Sequence, residues 1–259
     1  MEASTSRIEP GRVIGEAFET YRSQAGPLLG GALIVIGIAG IVEGLLSVSG
    51  SIVLGILGAF VGFAAGFLYT GYVVKLVQDV RDGRRDFSVG ELFSHAAPYL
   101  GTLIMAGILA GIAIAIGFVL IIIPGLILLT IWAVISPAIV VEDKGVIESF
   151  GRSRELVRGH GWQVFGAIVL TFLIIIGVGI VFSLIGAAIG DAGLVLLRAI
   201  GNIVTAPVWA LVASILFFDL GGGAGAPTGP TSAAVPEPLE APEPPEAQEP
   251  PQAQEPPTT

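Results

Sequence analysis

The chain has 259 residues, of which 53% are hydrophobic and 13% charged, whereas a soluble domain has about 25% charged residues; this composition excludes a soluble domain and predicts an integral membrane protein. The formal charge of -9 is concentrated near the C terminus, where the last forty residues hold six of the 21 acids and no Lys or Arg. Without a basic surface, nucleic acid is not expected as a partner, and without cysteine disulfides and thiolate metal sites are excluded.

Residues 1–26 form a polar segment before the first apolar run. A secretory signal would place its apolar region nearer the start, so we expect the first apolar run to be retained. Within the segment, Val13, Ile14, Ala17, Phe18 and Tyr21 share one helical face. This pattern is typical of an amphipathic helix that lies in the membrane plane, and we assign residues 1–26 to the cytoplasm.

Six apolar runs are long enough to cross a hydrocarbon core of about 30 Å as helices. They cover residues 27–46, 52–74, 99–121, 125–141, 163–185 and 194–218. The predicted fold class is therefore all-α, a polytopic membrane helix bundle, with a transmembrane domain over residues 27–220. Only Pro124 and Gly125 separate the third run from the fourth, and a Pro-Gly pair turns the chain. Two full spans are preferred there, and a re-entrant pair is the alternative.

The basic residues fall almost entirely on one side of these spans. Eleven of the twelve Lys and Arg residues lie before the first span, between the second and third, or between the fourth and fifth, and only Arg198 lies on the other side. Because cytoplasmic loops carry the excess of Lys and Arg, we predict a multi-pass protein of the cell membrane with both termini in the cytoplasm.

A Glu-x-Phe pattern precedes each odd-numbered span. The three copies contain Glu16 and Phe18, Glu91 and Phe93, and Glu148 and Phe150. Their apolar residues follow a helical period, which favours three repeated units, each a short interfacial amphipathic helix followed by a transmembrane hairpin. Chance similarity among segments that enter a span is the alternative. Arg152, Arg158 and Trp162 complete the set of predicted interfacial residues.

The second half of the chain resembles a known family. The residues that carry the resemblance are Ile123-Pro124-Gly125, Trp132, Pro137, the run from Gly151 to Trp162, Phe165-Gly166 and Phe217-Phe218-Asp219-Leu220. They resemble the membrane-domain family named after glycerophosphoryl diester phosphodiesterase. The resemblance implies the membrane part only, since forty residues after Asp219 cannot form a TIM barrel of about 250 residues. It therefore implies no hydrolysis.

No catalytic, cofactor or metal site is predicted. His95 and His160 are isolated, and a solvated imidazole is the better interpretation of each. Ionisable or polar groups at membrane depth are the usual pointer to transport. A speculative polar site is assigned to the spans and the outer loop, with Asp191 and Arg198 able to pair; its residues are Glu43, Asp191, Arg198, Asn202 and Thr205, with Pro207 freeing a backbone carbonyl beside them.

Small residues at four-residue spacing, such as Gly58, Gly62 and Gly66, predict close helix packing in lipid. Packing within one chain explains them, and a homo-oligomer through Gly-rich helix faces is the sharper alternative. Residues 221–259 are rich in Pro, Glu and Ala, which predicts a disordered tail. Its acidic residues would suit a basic cytoplasmic partner, although a solubilising role is simpler. Membrane lipids are the remaining expected partners.

These observations favour a non-catalytic integral membrane protein that acts as scaffold, regulator or organiser at the cytoplasmic leaflet. A small-solute transporter or channel is the alternative, and a membrane-embedded lipid enzyme comes third because no acid and base residues converge at one depth. A lipid-sized groove walled by Phe18, Phe93 and Phe150 would support the organiser. A cavity lined by Glu43, Asp191 and Arg198 would support the transporter or channel.

Overall fold

The computed structural model describes residues 9–48, 50–83 and 88–223. Throughout these residues the regular structure is helical, with no strand. The elements are α1 (Pro10–Ser23), α2 (Ala25–Ala32), a π-helical segment (Leu33–Gly37), α3 (Ile38–Val48), α4 (Ile52–Arg81), α5 (Val89–Ala96), a 3₁₀ turn (Ala97–Tyr99), α6 (Leu100–Leu120), α7 (Ile122–Ile131), α8 (Ile135–Glu142), α9 (Val146–Val157), α10 (Gly161–Ile189) and α11 (Asp191–Asp219). The tail predicted to be disordered lies outside the described residues from 224 onward.

Six helical stretches are long and apolar enough to cross a membrane, which confirms an all-α polytopic bundle. They are Ala25–Val48, Ile52–Arg81, Val89–Leu120, Ile122–Glu142, Gly161–Ile189 and Asp191–Asp219. Consecutive spans pack as three hairpins, α3 on α4, α6 on α7 and α10 on α11. Some helices are longer than their apolar runs because polar residues continue the helix. Helix α4, for example, extends beyond its apolar run to Arg81.

The turn between the third and fourth spans lies before Pro124, so the expected position was wrong. Helix α6 ends at Leu120, extended Ile121 makes the turn, and α7 begins at Ile122. Pro124 is then the third residue of α7, within the first turn, where a missing N–H breaks no helical hydrogen bond. Gly117 and Gly125 let the hairpin close, because a Cβ on Gly117 would lie 2.9 Å from the Gly125 backbone and a Cβ on Gly125 would lie 2.6 Å from the Phe118 ring.

Packing is concentrated at one end of the bundle. This charged end is defined by α1, α5, α9, the C-terminal turns of α4 and α11, and all of α8. Its buried side chains include Tyr72, Leu76, Ile139, Leu216 and Phe217. At the opposite end, apolar side chains such as Val48 and Val119 are 87% and 85% exposed. Lipid must cover these side chains, so the bundle is tight at the charged end and open within the acyl region.

Two tyrosines of α4 hold the first span to the second. The hydroxyls of Tyr69 and Tyr72 donate to the carbonyl oxygens of Leu28 and Pro27 at 2.9 and 2.8 Å. Gly31 allows this approach, because a Cβ there would lie 2.8 Å from the Tyr72 ring. These contacts fix α2 against α4 near the charged end.

The fourth span is broken. Helix α7 ends at Ile131 and α8 starts at Ile135, with a turn over residues 132–134. The fully buried Ser153 hydroxyl of α9 donates to the Ile131 carbonyl oxygen at 2.8 Å and accepts from the Val134 N–H at 3.4 Å. A side chain from outside the span thus satisfies backbone groups that a broken helix leaves unpaired.

Candidate functional site

Three helices meet at the charged end in an ion cluster of Arg12, Glu16, Arg81 and Asp219. Arg12 of α1 binds Asp219 at the end of α11 at 2.8 Å and Glu16 on its own helix at 3.4 Å. Arg81 at the end of α4 binds Glu16 at 2.8 Å and Asp219 at 3.5 Å. The Asp219 side chain is only 11% exposed, so it forms the inner corner of the cluster. Two cations and two anions balance, and they join the amphipathic α1 to the second and sixth spans.

The end of α11 is shaped to present Asp219 to this cluster. The N–H groups of Gly222 and Gly221 donate to the carbonyls of Phe217 and Phe218 at 2.9 and 3.0 Å, which closes the helix end. Phe217 is fully buried, and the Arg81 guanidinium lies 4.8 Å from the centre of the Phe218 ring. The aromatic pair therefore anchors the helix end beneath the ions.

A second ion pair joins α8 to α9. Arg152 donates to both carboxylate oxygens of Glu142 at 2.6 and 2.8 Å, the bidentate geometry that makes Arg–carboxylate pairs strong. The Gly223 N–H also donates to Glu142, at 3.0 Å. Hydrogen bonding to Glu142 raises the pKa of Arg152 above its ordinary value. Arg152, expected as an interfacial residue, thus holds α9 to the fourth span.

A groove opens sideways between α7 and the start of α10, and we call it the lateral groove. Its larger, apolar compartment has a volume of about 730 Å³. The lining residues are Ile123, Leu126, Ile127, Thr130, Ile131, Gly159, Gly161, Trp162, Gln163 and Phe165. A polar compartment of about 440 Å³ adjoins it and shares Ile131, Gly159 and Gly161. Arg154, Glu155, Val157 and Arg158 complete the polar compartment.

The turn from α9 to α10 shapes the boundary between the two compartments. Gly159 has a φ of +87°, which residues with a Cβ rarely adopt. The first N–H groups of any helix lack acceptors within the helix. Helix α10 begins at Gly161 without a side-chain cap, so no capping side chain accepts from them either. The Nδ1 atom of His160 is buried and makes no hydrogen bond within the described part of the chain. Trp162 is 84% exposed, as suits a side chain at headgroup level.

The three Glu-x-Phe segments are used in two different ways. Glu91 and Glu148 are each the third residue of their helix, and Phe93 and Phe150 follow to pack on Tyr72 and Trp132, with ring centres 4.5 and 4.8 Å apart. In the first copy Glu16 is deep within α1 and belongs to the ion cluster. Phe18 is 49% exposed. Among the described residues Phe18, Phe93 and Phe150 do not wall one groove, the finding that would have supported the organiser, because their neighbours differ.

The residues of the speculative polar site are scattered. Asp191, Arg198 and Asn202 are exposed on α11, and none of the ion pairs found in residues 9–48, 50–83 and 88–223 joins Asp191 to Arg198. Glu43 packs on α4, where its Oε2 would lie 2.8 Å from a Cβ on Gly62. Thr205 donates to the Gly201 carbonyl within its own helix at 2.8 Å. The geometry does not bring these groups together.

Near Thr205 the structure has an apolar cavity of about 120 Å³ between α1, α10 and α11. Ile14, Phe18, Tyr21, Val204 and Thr205 are among its lining residues. The Tyr21 hydroxyl donates to the Val204 carbonyl oxygen at 3.0 Å, three residues before Pro207. Burial raises the pKa of Tyr21. The amphipathic helix α1 therefore seats on the sixth span close to the proline.

The glycine spacing serves packing inside the chain at several positions. A Cβ would meet Glu43 at Gly58 and Gly62, Phe67 at Gly107, and Leu194 at Gly186. A Cβ on Gly66 would meet nothing within 4 Å, and Gly40, Gly44 and Gly111 are equally open. Open positions of this kind leave surface for a homo-oligomer, which stays a prediction, as does the partner of the acidic tail.

Sequence reasoning missed the residues that assemble the charged end. Asp219 was noted only as part of a family motif and Glu142 was not singled out, yet each receives an arginine from another helix. The sequence signal for both residues was their position at the end of an apolar run. A carboxylate buried there is costly unless a cation lies nearby, so a basic partner could have been expected. Ser153 gave no signal, because its partners are backbone atoms of a distant segment.

The family model that matches the chain is described as uncharacterised protein family UPF0259, and it covers residues 52–211. A curated UPF0259 membrane protein of Pectobacterium carotovorum subsp. carotovorum (strain PC1) is 31% identical over 150 residues, which are 58% of this chain and 59% of the relative. The matched part thus spans under two thirds of that relative. No solved structure matches.

These matches overturn the resemblance to the glycerophosphoryl diester phosphodiesterase membrane-domain family. Both the family model and the relative point to UPF0259. The motif residues have structural roles instead: Gly125 closes a hairpin, Trp132 packs on Phe150, and Asp219 completes the ion cluster. Short motifs at span ends meet such demands in any helix bundle, so they misled the assignment.

Proposed function

The chain belongs to the UPF0259 family of membrane proteins, and we propose that this integral membrane protein is a non-catalytic organiser of the cytoplasmic leaflet. The main support for the proposal is that the short helices and the buried side chains are concentrated at the charged end. There α1, α5 and α9 pack on the ends of the spans, and ion pairs fix two of them in place. The opposite end is mostly apolar helix surface, with few exposed charges such as Asp191 and Arg198.

The placement of charge supports the cytoplasmic side. Eleven of the twelve Lys and Arg residues precede the first span or join the second span to the third or the fourth to the fifth, and cytoplasmic loops carry such an excess. The inner leaflet is rich in anionic lipids that attract basic segments. A rigid rim of short helices that exposes arginines such as Arg154 and Arg158 at that depth would select and order the lipids around the bundle.

Cysteine labelling of intact cells tests the orientation. Single cysteines replace Ser4, Arg84, Arg154, Asp191 and Ser232 in this cysteine-free chain. Arg154 represents α9 in this set because it is exposed, whereas its neighbour Ser153 is fully buried and out of reach of the reagent. We expect an impermeant thiol reagent to label only the cysteine at Asp191. Labelling at Arg154 or Ser232 would contradict the cytoplasmic assignment.

Electron paramagnetic resonance tests the organising activity in proteoliposomes of the full chain. We expect the motionally restricted fraction of spin-labelled phosphatidylglycerol to exceed that of phosphatidylcholine by about twofold at low salt, and the difference to shrink at high salt. Equal fractions for the two lipids would show that the charged end does not select among them, and the proposal would fail.

The broken fourth span favours a small-solute transporter, since transporter sites use discontinuous helices. Here Ser153 already bonds the Ile131 carbonyl and the Val134 N–H at the break. None of the four main cavities in the described ranges is lined by Glu43, Asp191 or Arg198. Solute flux through the same proteoliposomes would overturn the organiser in favour of transport.

A further inference from the structure

The lateral groove has two chemically different compartments that share the lining residues Ile131, Gly159 and Gly161. The apolar part follows α7 from Ile123 to Ile131, and the polar part lies beyond Ile131 beside α9. The apolar volume of about 730 Å³ falls within the range of roughly 300–1,000 Å³ usual for ligand sites. Ile123 and Ile127 are 64% and 54% exposed, so this compartment opens directly to the acyl chains of the bilayer.

The polar compartment carries a net positive charge. Arg154 lies in the last turn of α9 and Arg158 is the residue that follows the helix, and neither enters an ion pair in the part of the chain that the structure describes. The single acid of the compartment, Glu155, lies 3.6 Å from Arg152, which partly balances it. The uncapped start of α10 adds partial positive charge on the same side. An anion with an attached apolar chain complements this arrangement.

The depth of the lateral groove in the membrane also suits an anion with an attached apolar chain. Trp162 lines the apolar compartment near its junction with the polar one and is 84% exposed, and tryptophan favours the headgroup boundary. Thr130 and Gln163 supply the few polar groups of the apolar wall. An acyl chain would therefore lie toward the bilayer centre, with its headgroup at α9.

We propose that the lateral groove binds one anionic phospholipid, with an acyl chain between α7 and α10 and the phosphate between Arg154 and Arg158. This inference rests on the proposed function and names its ligand and its site. A zwitterionic lipid would place an ammonium group beside the two arginines, so it should bind more weakly. The groove lies within the residues that match the family model.

Native mass spectrometry of the full chain, titrated with phosphatidylglycerol or phosphatidylcholine, tests the site. We expect the first phosphatidylglycerol to bind about tenfold more tightly than phosphatidylcholine. The double variant R154Q/R158Q should abolish this preference. The matched control R22Q/K144Q removes two positive charges from segments of the charged end that do not line the groove, and should keep the preference.

A third variant, I127W, fills the apolar compartment at an exposed position and should weaken binding of the first lipid of either kind. Thermal unfolding checks that all variants remain folded. Loss of the preference in R22Q/K144Q, or its survival in R154Q/R158Q, would overturn the site. A stable dimer that forms in place of the lipid complex would overturn it too, because the groove would then be an interface between copies.

The two proposals fail in different ways. If R154Q/R158Q keeps the first bound phosphatidylglycerol while the spin-label experiment still shows anionic selection, the assigned site is wrong and the organising function stands. If the spin-label experiment shows no selection but one phosphatidylglycerol binds and depends on both arginines, the organising function is wrong and the site stands.

Discussion

Asp219, the last residue of the sixth span, accepts a hydrogen bond of 2.8 Å from the Arg12 guanidinium of α1, although 207 positions separate the two residues. The N-terminal amphipathic helix and the end of the bundle are thereby one structural unit. The same carboxylate lies 3.5 Å from Arg81, so its removal would leave two cations facing one acid.

A double-mutant cycle of R12Q and D219N measures this link. Arg12 is 44% exposed and Asp219 only 11%, so we expect a coupling energy of about 0.5–1 kcal/mol, larger at low salt. The free energy of unfolding in detergent is the measurement. The cycle of R12Q with E155Q, which pairs Arg12 with a distant acid, should give no coupling. Equal coupling in both cycles would contradict a specific contact.

Ser153 stabilises the break in the fourth span. The variant S153A leaves the Ile131 carbonyl and the Val134 N–H without their side-chain partner, and we expect a loss of about 1–3 kcal/mol in the free energy of unfolding. The control is S149A on the same helix. Ser149 is also fully buried, but it bonds only the Val146 carbonyl of its own helix, so its loss should cost less. A smaller loss in S153A than in S149A would exclude this role.

Gly31 allows close contact between the first two spans. In G31A the new Cβ would lie 2.8 Å from the Tyr72 ring, and such overpacking costs about 1–3 kcal/mol. The neighbouring variant G30A meets nothing within 4 Å and should leave stability unchanged or slightly raised. Thermal unfolding compares the two. Equal midpoints would mean that the Tyr72 ring moves aside freely.

The seating of α1 on the sixth span should weaken at alkaline pH. Burial raises the pKa of Tyr21, so folding favours the neutral hydroxyl that donates to Val204. The stabilisation is fully present below the unfolded pKa of about 10 and is lost as the pH rises through the higher pKa of the folded protein. Labelling of a cysteine at buried Ala17 reports release of α1.

The variant Y21F is the control for this pH dependence. It lacks the titrating hydroxyl and the hydrogen bond to Val204, whose loss should destabilise the seated α1 by about 0.5–1.5 kcal/mol. Labelling of the cysteine at position 17 should therefore be faster at neutral pH. It should also rise less as the pH is raised above the ordinary tyrosine pKa of about 10, toward the higher pKa of Tyr21 in the folded protein. Identical alkaline profiles for Y21F and the parent would assign the effect to other groups.

The sequence by itself determined the membrane character, the count of six spans and the amphipathic helices beside them. These depend on the length and period of apolar runs, which are local properties that lipid imposes on any chain. The predicted orientation has the same local basis in the positions of Lys and Arg. Short motifs carried less information: they suggested the wrong family and placed a turn at Pro124 that lies at Ile121.

Only the tertiary structure decided the ion cluster, the support of the broken span and the lateral groove. Arg12 meets Asp219, and Ser153 meets Ile131, because helices far apart in sequence pack side by side at the charged end. Such pairings leave no periodic trace in the sequence. They are selected by the cost of leaving charges and backbone groups without partners where water is scarce, and that cost exists only after the helices have packed.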